Sequence, residues 1–304
     1  MTEYAPVVLF VYNRLPHTIQ TLEALQNNAL ADESDLYIFS DGPKSDHDIE
    51  KVEKVRDYID SATGFRNIYI TKRDRNLGLA QSIISGVTEI IKKYGKVVVI
   101  EDDLITSSDF LGYMNDGLNY FEDDPRIFSV TGYTPSIEIP SYYKEDIFLF
   151  HRISSYGWGT WTNRWDLVDW DIKDFDEFIL NQNKRQEFNK GGEDLTAMLL
   201  KQMKGNLDSW AIRFTYNCFK RGMYNVYPVY SKVFNTGYDD SGVHGHKTRK
   251  YDTVISDRQI RFSECHADEI IEGIMRRFYS KRFYRRLINY LTIMMYVITT
   301  RIAC

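Results

Sequence analysis

Lys96-Val97-Val98-Val99-Ile100-Glu101-Asp102-Asp103 is the stretch that decides the fold. Four β-branched apolar residues in succession predict a strand buried on both faces, as in a parallel sheet covered by helices. Three carboxylates then arrive where that strand leaves the sheet. Burying an unpaired charge is costly, so these acids need a counter-charge. Hard carboxylate oxygens suit Mg²⁺ or Mn²⁺ rather than a thiol-seeking metal. The position also fits, because an open α/β sheet binds ligands in the crevice outside the carboxyl ends of its strands. The competing reading is an acidic turn before a helix that starts near Ser107, with Asp109 in its first turn.

Upstream of this stretch, strand and helix signals alternate. Residues 6–12 (PVVLFVY) read as a buried strand, followed by a helix over about 17–27. Residues 35–40 (DLYIFS) form the next strand and end on the turn Asp41-Gly42-Pro43. A helix over about 47–61, a strand over 66–71 and a helix over 79–94 follow, so the strand ending in Glu101 is the fourth. Repeated βαβ units predict an α/β fold with a mostly parallel, doubly wound sheet. No Gly-x-Gly-x-x-Gly follows the first strand and no P-loop signature occurs, which argues against a dinucleotide fold and a P-loop NTPase.

Composition bounds the function. With 304 residues, 43% hydrophobic and 27% charged, the chain can bury a substantial core as an ordinary globular protein. A net charge of −5 argues against a nucleic-acid partner. Cys218, Cys265 and Cys304 are too few and too scattered for a disulfide framework or a metal site, which points to a reducing compartment. No basic segment followed by an apolar run opens the chain, so no leader is expected. A cytoplasmic location follows.

In order and spacing, several segments resemble nucleotide-sugar-dependent glycosyltransferases of the GT-A fold. The likeness is closest to the group typified by the N-glycan β-1,2-N-acetylglucosaminyltransferase and its bacterial relatives. The segments are Tyr12-Asn13-Arg14, Phe39-Ser40-Asp41-Gly42, Arg73-Asp74-Arg75-Asn76-Leu77-Gly78-Leu79, the Glu101-Asp102-Asp103 strand with the helix after it, Tyr156-Gly157-Trp158-Gly159-Thr160-Trp161, Asp208-Ser209-Trp210, and Asn235-Thr236-Gly237 through Gly242-Val243-His244-Gly245. The resemblance covers roughly residues 5–248. It implies residues 1–105 as a nucleotide-sugar-binding half, 106–250 as the acceptor half of the same domain, and 251–304 as a C-terminal helical tail.

The resemblance implies a metal-dependent, inverting transfer from a UDP-sugar, UDP-GlcNAc-like first, to a glycan or lipid-linked oligosaccharide in cell-surface polysaccharide synthesis. On the donor side it implicates Tyr12, Arg14, Asp41, Arg73, Arg75, Asn76, Gly78, Glu101 and Asp102. Asp41 offers an acceptor for the uracil N3–H. Asn76 and Gly78 open a helix whose free N–H groups favour an anion, or they simply cap it. Asp103 is expected on Mn²⁺ or Mg²⁺, with His244 as a further candidate ligand and His246 a weaker one. Asp208 is the expected general base, against the alternative that it only N-caps the helix from Ser209. Tyr156, Gly157, Trp158, Gly159 and Trp210 are expected on the acceptor side, where aromatic rings suit sugar faces and glycines permit close approach. The alternative for the tryptophans is core packing.

The tail raises a separate expectation. From Glu269 onward there are two acids against seven Lys/Arg, a net of about +5, which leaves about −10 for the rest. The basic, aromatic segment 276–286 runs into an apolar stretch of about 14 residues, short of the roughly 20 that span a bilayer. Such a helix can lie on an anionic membrane, which would make the protein peripheral at the inner face of the cell membrane. The alternatives are a helix docked on the catalytic domain or on the second subunit of a homodimer. Two rival functions remain. A sugar-nucleotide nucleotidyltransferase should carry a glycine-rich loop after the first strand, which Tyr12-Asn13-Arg14-Leu15 lacks. A catalytically silent sugar-binding subunit has no need of Asp102, Asp103 and Asp208.

Overall fold

The apolar runs of the N-terminal third become neighbouring strands. The structure, a computed structural model, describes residues 4–240, 247–280 and 283–303. Strands β1 (Val7–Val11), β2 (Asp35–Ser40), β3 (Asn67–Lys72) and β4 (Lys96–Glu101) alternate with helices α1 (Leu15–Gln26), α2 (Asp46–Asp60) and α3 (Leu79–Tyr94). β1 lies between β2 and β4, parallel to both, and β2 pairs in parallel with β3. The carboxyl ends of these four strands therefore share one edge. Val97 to Ile100 are fully buried, as the β-branched run predicts. α3 presents Ile83, Val87, Ile90 and Ile91 to the sheet at helical spacing, and Gly95 ends it in the left-handed conformation at φ 81°.

Beyond β4 the sheet is mixed. The remaining strands are β5 (Leu104–Thr106), β6 (Ile127–Thr131), β7 (Ile147–Phe150), β8 (Trp158–Trp161), β9 (Tyr224–Pro228) and β10 (Val233–Asn235). The main sheet runs β3-β2-β1-β4-β8-β6-β9-β7, with β8 antiparallel to both of its neighbours. β5 and β10 form a separate antiparallel ribbon in which Asn235 opposes Leu104. The later helices are α4 (Phe110–Tyr120), α5 (Thr162–Trp165), α6 (Phe175–Leu180), α7 (Gln182–Phe188), α8 (Leu195–Met203), α9 (Trp210–Lys220), α10 (Glu269–Phe278) and α11 (Phe283–Ala303).

Two local expectations change. α4 starts at Phe110 rather than near Ser107, so Asp109 precedes the helix instead of lying in its first turn, and its carboxylate accepts from Ser107 Oγ at 2.7 Å and from the buried Lys232 ammonium at 2.5 Å. The tail is not helical from 251. Residues 251–268 form a strap without helix or strand, on which Phe262 stacks against Tyr113 with ring centroids 5.4 Å apart. Lys232 pins the strap by donating to the Ser256 and Arg258 carbonyls at 2.9 and 2.6 Å. Helix begins only at Glu269, capped by the Asp268 carboxylate. Among the described residues, no helix is long and apolar enough to cross a membrane.

Candidate active site

β4 delivers Glu101, Asp102 and Asp103 to the carboxyl edge of the sheet, and the neighbouring β1 delivers Arg14 to the same place. The Arg14 guanidinium bonds both the Asp102 carboxylate and, at 2.8 Å, Asp103 Oδ2. Burial opposes the charge on Arg14, but the two carboxylates more than offset it and hold its pKa above the usual value. Burial raises the pKa of Asp102, helped by the Asp103 charge and resisted by Arg14 and by a hydrogen bond from the Tyr12 backbone. Glu101 has no ion-pair partner among the described residues. Burial, then the charges on Asp103 and Asp102, push its carboxyl up to about 8. Among the described residues, Arg14 is the cation that pairs with Asp102 and Asp103.

At the end of β2, Asp41 is buried with its carboxylate turned towards the start of α3. It accepts from the backbone N–H groups of Leu77 at 3.0 Å and of Gly78 and Gly42 at 3.1 Å. Asp41 therefore fills the anion site that the helix start offers, and a phosphate does not have those donors to itself. Asn76 fixes the same turn by donating to the Gly42 carbonyl at 2.9 Å and accepting from the Gly78 N–H at 3.2 Å. Arg73 is anchored on α3 through Ser82 and through Ser85 Oγ at 3.0 Å, and its guanidinium lies 5.3 Å over the Phe39 ring. Arg75 is exposed. The Tyr12 hydroxyl accepts from the Lys44 N–H at 3.0 Å, which joins the β1 and β2 ends.

The β5–β10 ribbon supplies a contact that the sequence did not reveal. Thr236 donates its N–H to the Asp103 carbonyl at 2.8 Å, and Gly237 lies directly on the Asp103 side chain. A Cβ on Gly237 would fall 2.1 Å from Asp103 Oδ2 and 3.2 Å from an Arg14 nitrogen, so no other residue fits without displacing the acid. Tyr238 follows, stacked on Tyr251 at 4.6 Å and hydrogen-bonded through its hydroxyl to that of Tyr156, whose ring meets Tyr133 edge-on at 4.9 Å. Tyr133, Tyr238 and Tyr251 are scattered in sequence, and no local pattern marks them as a cluster. His17 reaches Asp239 at 3.2 Å, tying α1 to the same loop. His244 and His246, candidate metal ligands in the sequence, lie outside the described residues.

The acceptor-side expectations divide. Trp158 and Trp210 are 0% and 3% exposed and stack with ring centroids 4.6 Å apart, so both serve the core and neither offers a face to a sugar. Gly157 and Gly159 are required by packing. Gly157 has φ 66° with Val233 2.9 Å from its absent Cβ, and a Cβ on Gly159 would meet the Val97 carbonyl at 2.8 Å. Asp208 is not the N-cap of α9. Ser209 is, its hydroxyl accepting from the Ile212 N–H at 3.3 Å. The Asp208 side chain is 65% exposed and pairs with Arg213 at 3.1 Å. Trp210 stacks on Trp158, which pairs with Val99 of β4, and among the described residues no contact joins Asp208 to Glu101, Asp102 or Asp103.

Among the described residues, no three His, Cys, Asp or Glu side chains converge to cage a metal. The donor set instead fits the hard-ion pattern in which one or two carboxylates hold Mg²⁺ or Mn²⁺ together with substrate phosphates and water.

No protein-family model matches the chain, and no curated protein matches it. Among solved structures it is similar to the mannosyltransferase PcManGT from Pyrobaculum calidifontis, in complex with GDP-Man and Mn²⁺, at 13% identity and TM-score 0.36, covering 54% of this chain and 46% of that one. It is also similar to S. aureus TarS. The 1–349 structure gives 10% identity and TM-score 0.44 over 77% of this chain and 60% of that one. A second TarS structure gives 12% identity and TM-score 0.40 over 77% and 37%. This chain spans less than two thirds of each. At such identities and TM-scores the likeness assigns no activity.

Proposed function

We propose that this protein is an inverting, metal-dependent glycosyltransferase that uses a UDP-sugar. The observation that carries the proposal is the acid cluster at the carboxyl end of β4, met by Arg14 from the end of β1 and Gly237 from the ribbon. A divalent ion held by Asp103 and the donor's phosphates would supply Lewis-acid neutralisation of the leaving diphosphate. Arg14 keeps Asp103 oriented and adds a second positive charge beside it. Asp41 retains acceptor capacity beyond its three backbone donors, because a carboxylate has about four lone-pair sites, so it can still take the uracil N3–H. Asp102, buried against Arg14, is the proposed ribose contact.

On the acceptor side, Asp208 is the proposed general base. Its exposure leaves the carboxylate accessible to an incoming hydroxyl, and Ser209 relieves it of any capping duty. Tyr238, partly exposed beside Gly237, is better placed to contact a sugar than the buried tryptophans. The acceptor is a glycan, with a lipid-linked oligosaccharide the leading class, and cell-surface polysaccharide synthesis is the corresponding role. A thermal-shift screen of nucleotide sugars with and without Mn²⁺ tests the proposal, because a ligand that binds only the native state raises the melting temperature. A rise with UDP-sugars that needs Mn²⁺ is expected. A rise with GDP or CMP and none with UDP contradicts the donor, and no response to any nucleotide contradicts the function.

A further inference from the structure

α11 touches the rest of the protein through one face. Ile293, Tyr296 and Val297 join the apolar cluster around α6 and α8, Lys204 lies 4.7 Å over the Tyr296 ring, and Arg286 pairs with Glu193 at 2.8 Å. At 100° per residue, Tyr284, Leu287, Ile288, Leu291, Met295 and Ile298 fall in an arc about 100° wide on the opposite side. All six are exposed, Met295 by 68%. A continuous apolar stripe of this kind marks an interaction surface.

We propose that this stripe docks the protein on an anionic lipid leaflet, with α11 lying in the plane of the interface. Charge selects the occupant. Residues 276–286 carry six Lys/Arg, and no acid occurs from 276 to the end of the chain. A second copy seated on the same stripe would bring one basic segment near another with no carboxylate of the helix to receive it. An anionic leaflet does receive it, each Lys/Arg near such a surface strengthening binding about fivefold. The helix has 21 residues but is not apolar enough to cross the bilayer, so it lies along the surface. Its inner face holds the rest of the protein to it. The proposal is independent of the transfer chemistry.

Co-sedimentation of the full chain with vesicles tests it. Wild-type protein is expected to bind vesicles of phosphatidylglycerol and phosphatidylcholine, and to bind phosphatidylcholine alone at least about tenfold more weakly. The double substitution Leu291→Glu, Met295→Glu is expected to weaken binding to the anionic vesicles by about tenfold or more without lowering the melting temperature. Leu287→Glu with Ile288→Glu repeats the test one turn earlier, should the first variant fold poorly. Arg276→Gln with Arg277→Gln, on the exposed side of α10, should cost about 25-fold, and Ile49→Glu on α2 should cost nothing. No binding to anionic vesicles, or undiminished binding in both stripe variants, overturns the proposal. So does a wild-type dimer in solution that Leu291→Glu, Met295→Glu converts to monomer, which would show a second copy on the stripe.

Discussion

Replacing Gly237 with Ala should disable the site while sparing the fold. Gly237 is not in the left-handed region, so alanine meets no backbone penalty and the contact alone is at issue. The added methyl would lie 2.1 Å from Asp103 Oδ2 and 2.9 Å from its Cγ, where ordinary contacts begin near 3.4 Å, so one side must retreat by about 1.3 Å. If the Asp103 side chain turns away, its 2.8 Å pair with Arg14 breaks. If the loop lifts instead, the Thr236 N–H loses the Asp103 carbonyl at 2.8 Å. Either route displaces the carboxylate proposed to hold the metal, and a misplacement of about 1 Å costs roughly 10²-fold in rate. The strain in the native state is that of mild overpacking, about 1–3 kcal/mol. The assay is UDP release from UDP-sugar with Mn²⁺, beside a melting curve. Wild-type turnover in Gly237→Ala would refute the placement of Asp103 at the reacting centre.

The remaining predictions are these. Asp208→Asn should lower kcat by about 10²–10⁴ with little change in donor binding. Because Ser209 is the cap, its stability should stay within about 0.5 kcal/mol of wild type, and unchanged turnover would remove Asp208 as the base. Arg14→Met should destabilise the fold by about 3 kcal/mol in denaturant melts, because it strands the buried Asp102 carboxylate, and a neutral result would show that the pair is not needed. Asp35 is buried at the start of β2, and its forked hydrogen bonds from Arg66 at 2.8 Å hold its pKa below the usual range. With the folded pKa depressed, Asp35→Asn should cost its full increment, about 1–3 kcal/mol, above about pH 4. The difference from wild type should vanish as pH falls through the lower folded value, and a gap that persists in acid would contradict the assignment.

The parallel half of the fold was legible because its signals are local. Apolar runs mark β1, β2 and β4, and the α3 boundaries read from the sequence are those observed, Leu79–Tyr94. The strap from 251 to 268 was misread as helix. What orders it is packing of Phe262 and the buried Lys232 ammonium, contacts between residues far apart in the chain. For Trp158 and Trp210 the sequence leaves sugar contact and core packing both open for a related reason, since composition shows aromatic rings and not whether a neighbour covers them, and their burial favours the core. Arg14 was singled out, but its role as counter-ion to Asp102 and Asp103 depends on β1 lying beside β4. Gly237 belongs to a segment that carries the resemblance, but its contact with Asp103 is not legible, because it is set by a side chain 134 positions earlier that only the β5–β10 ribbon brings into reach.

The most direct test of the central claim is release of UDP from UDP-GlcNAc by the full chain, followed with Mn²⁺, with excess chelator, and in Asp103→Ala. Release that requires Mn²⁺ in the wild type and is abolished in an Asp103→Ala protein of unchanged melting temperature is the predicted result. Release at equal rates in chelator, or by Asp103→Ala, would contradict it.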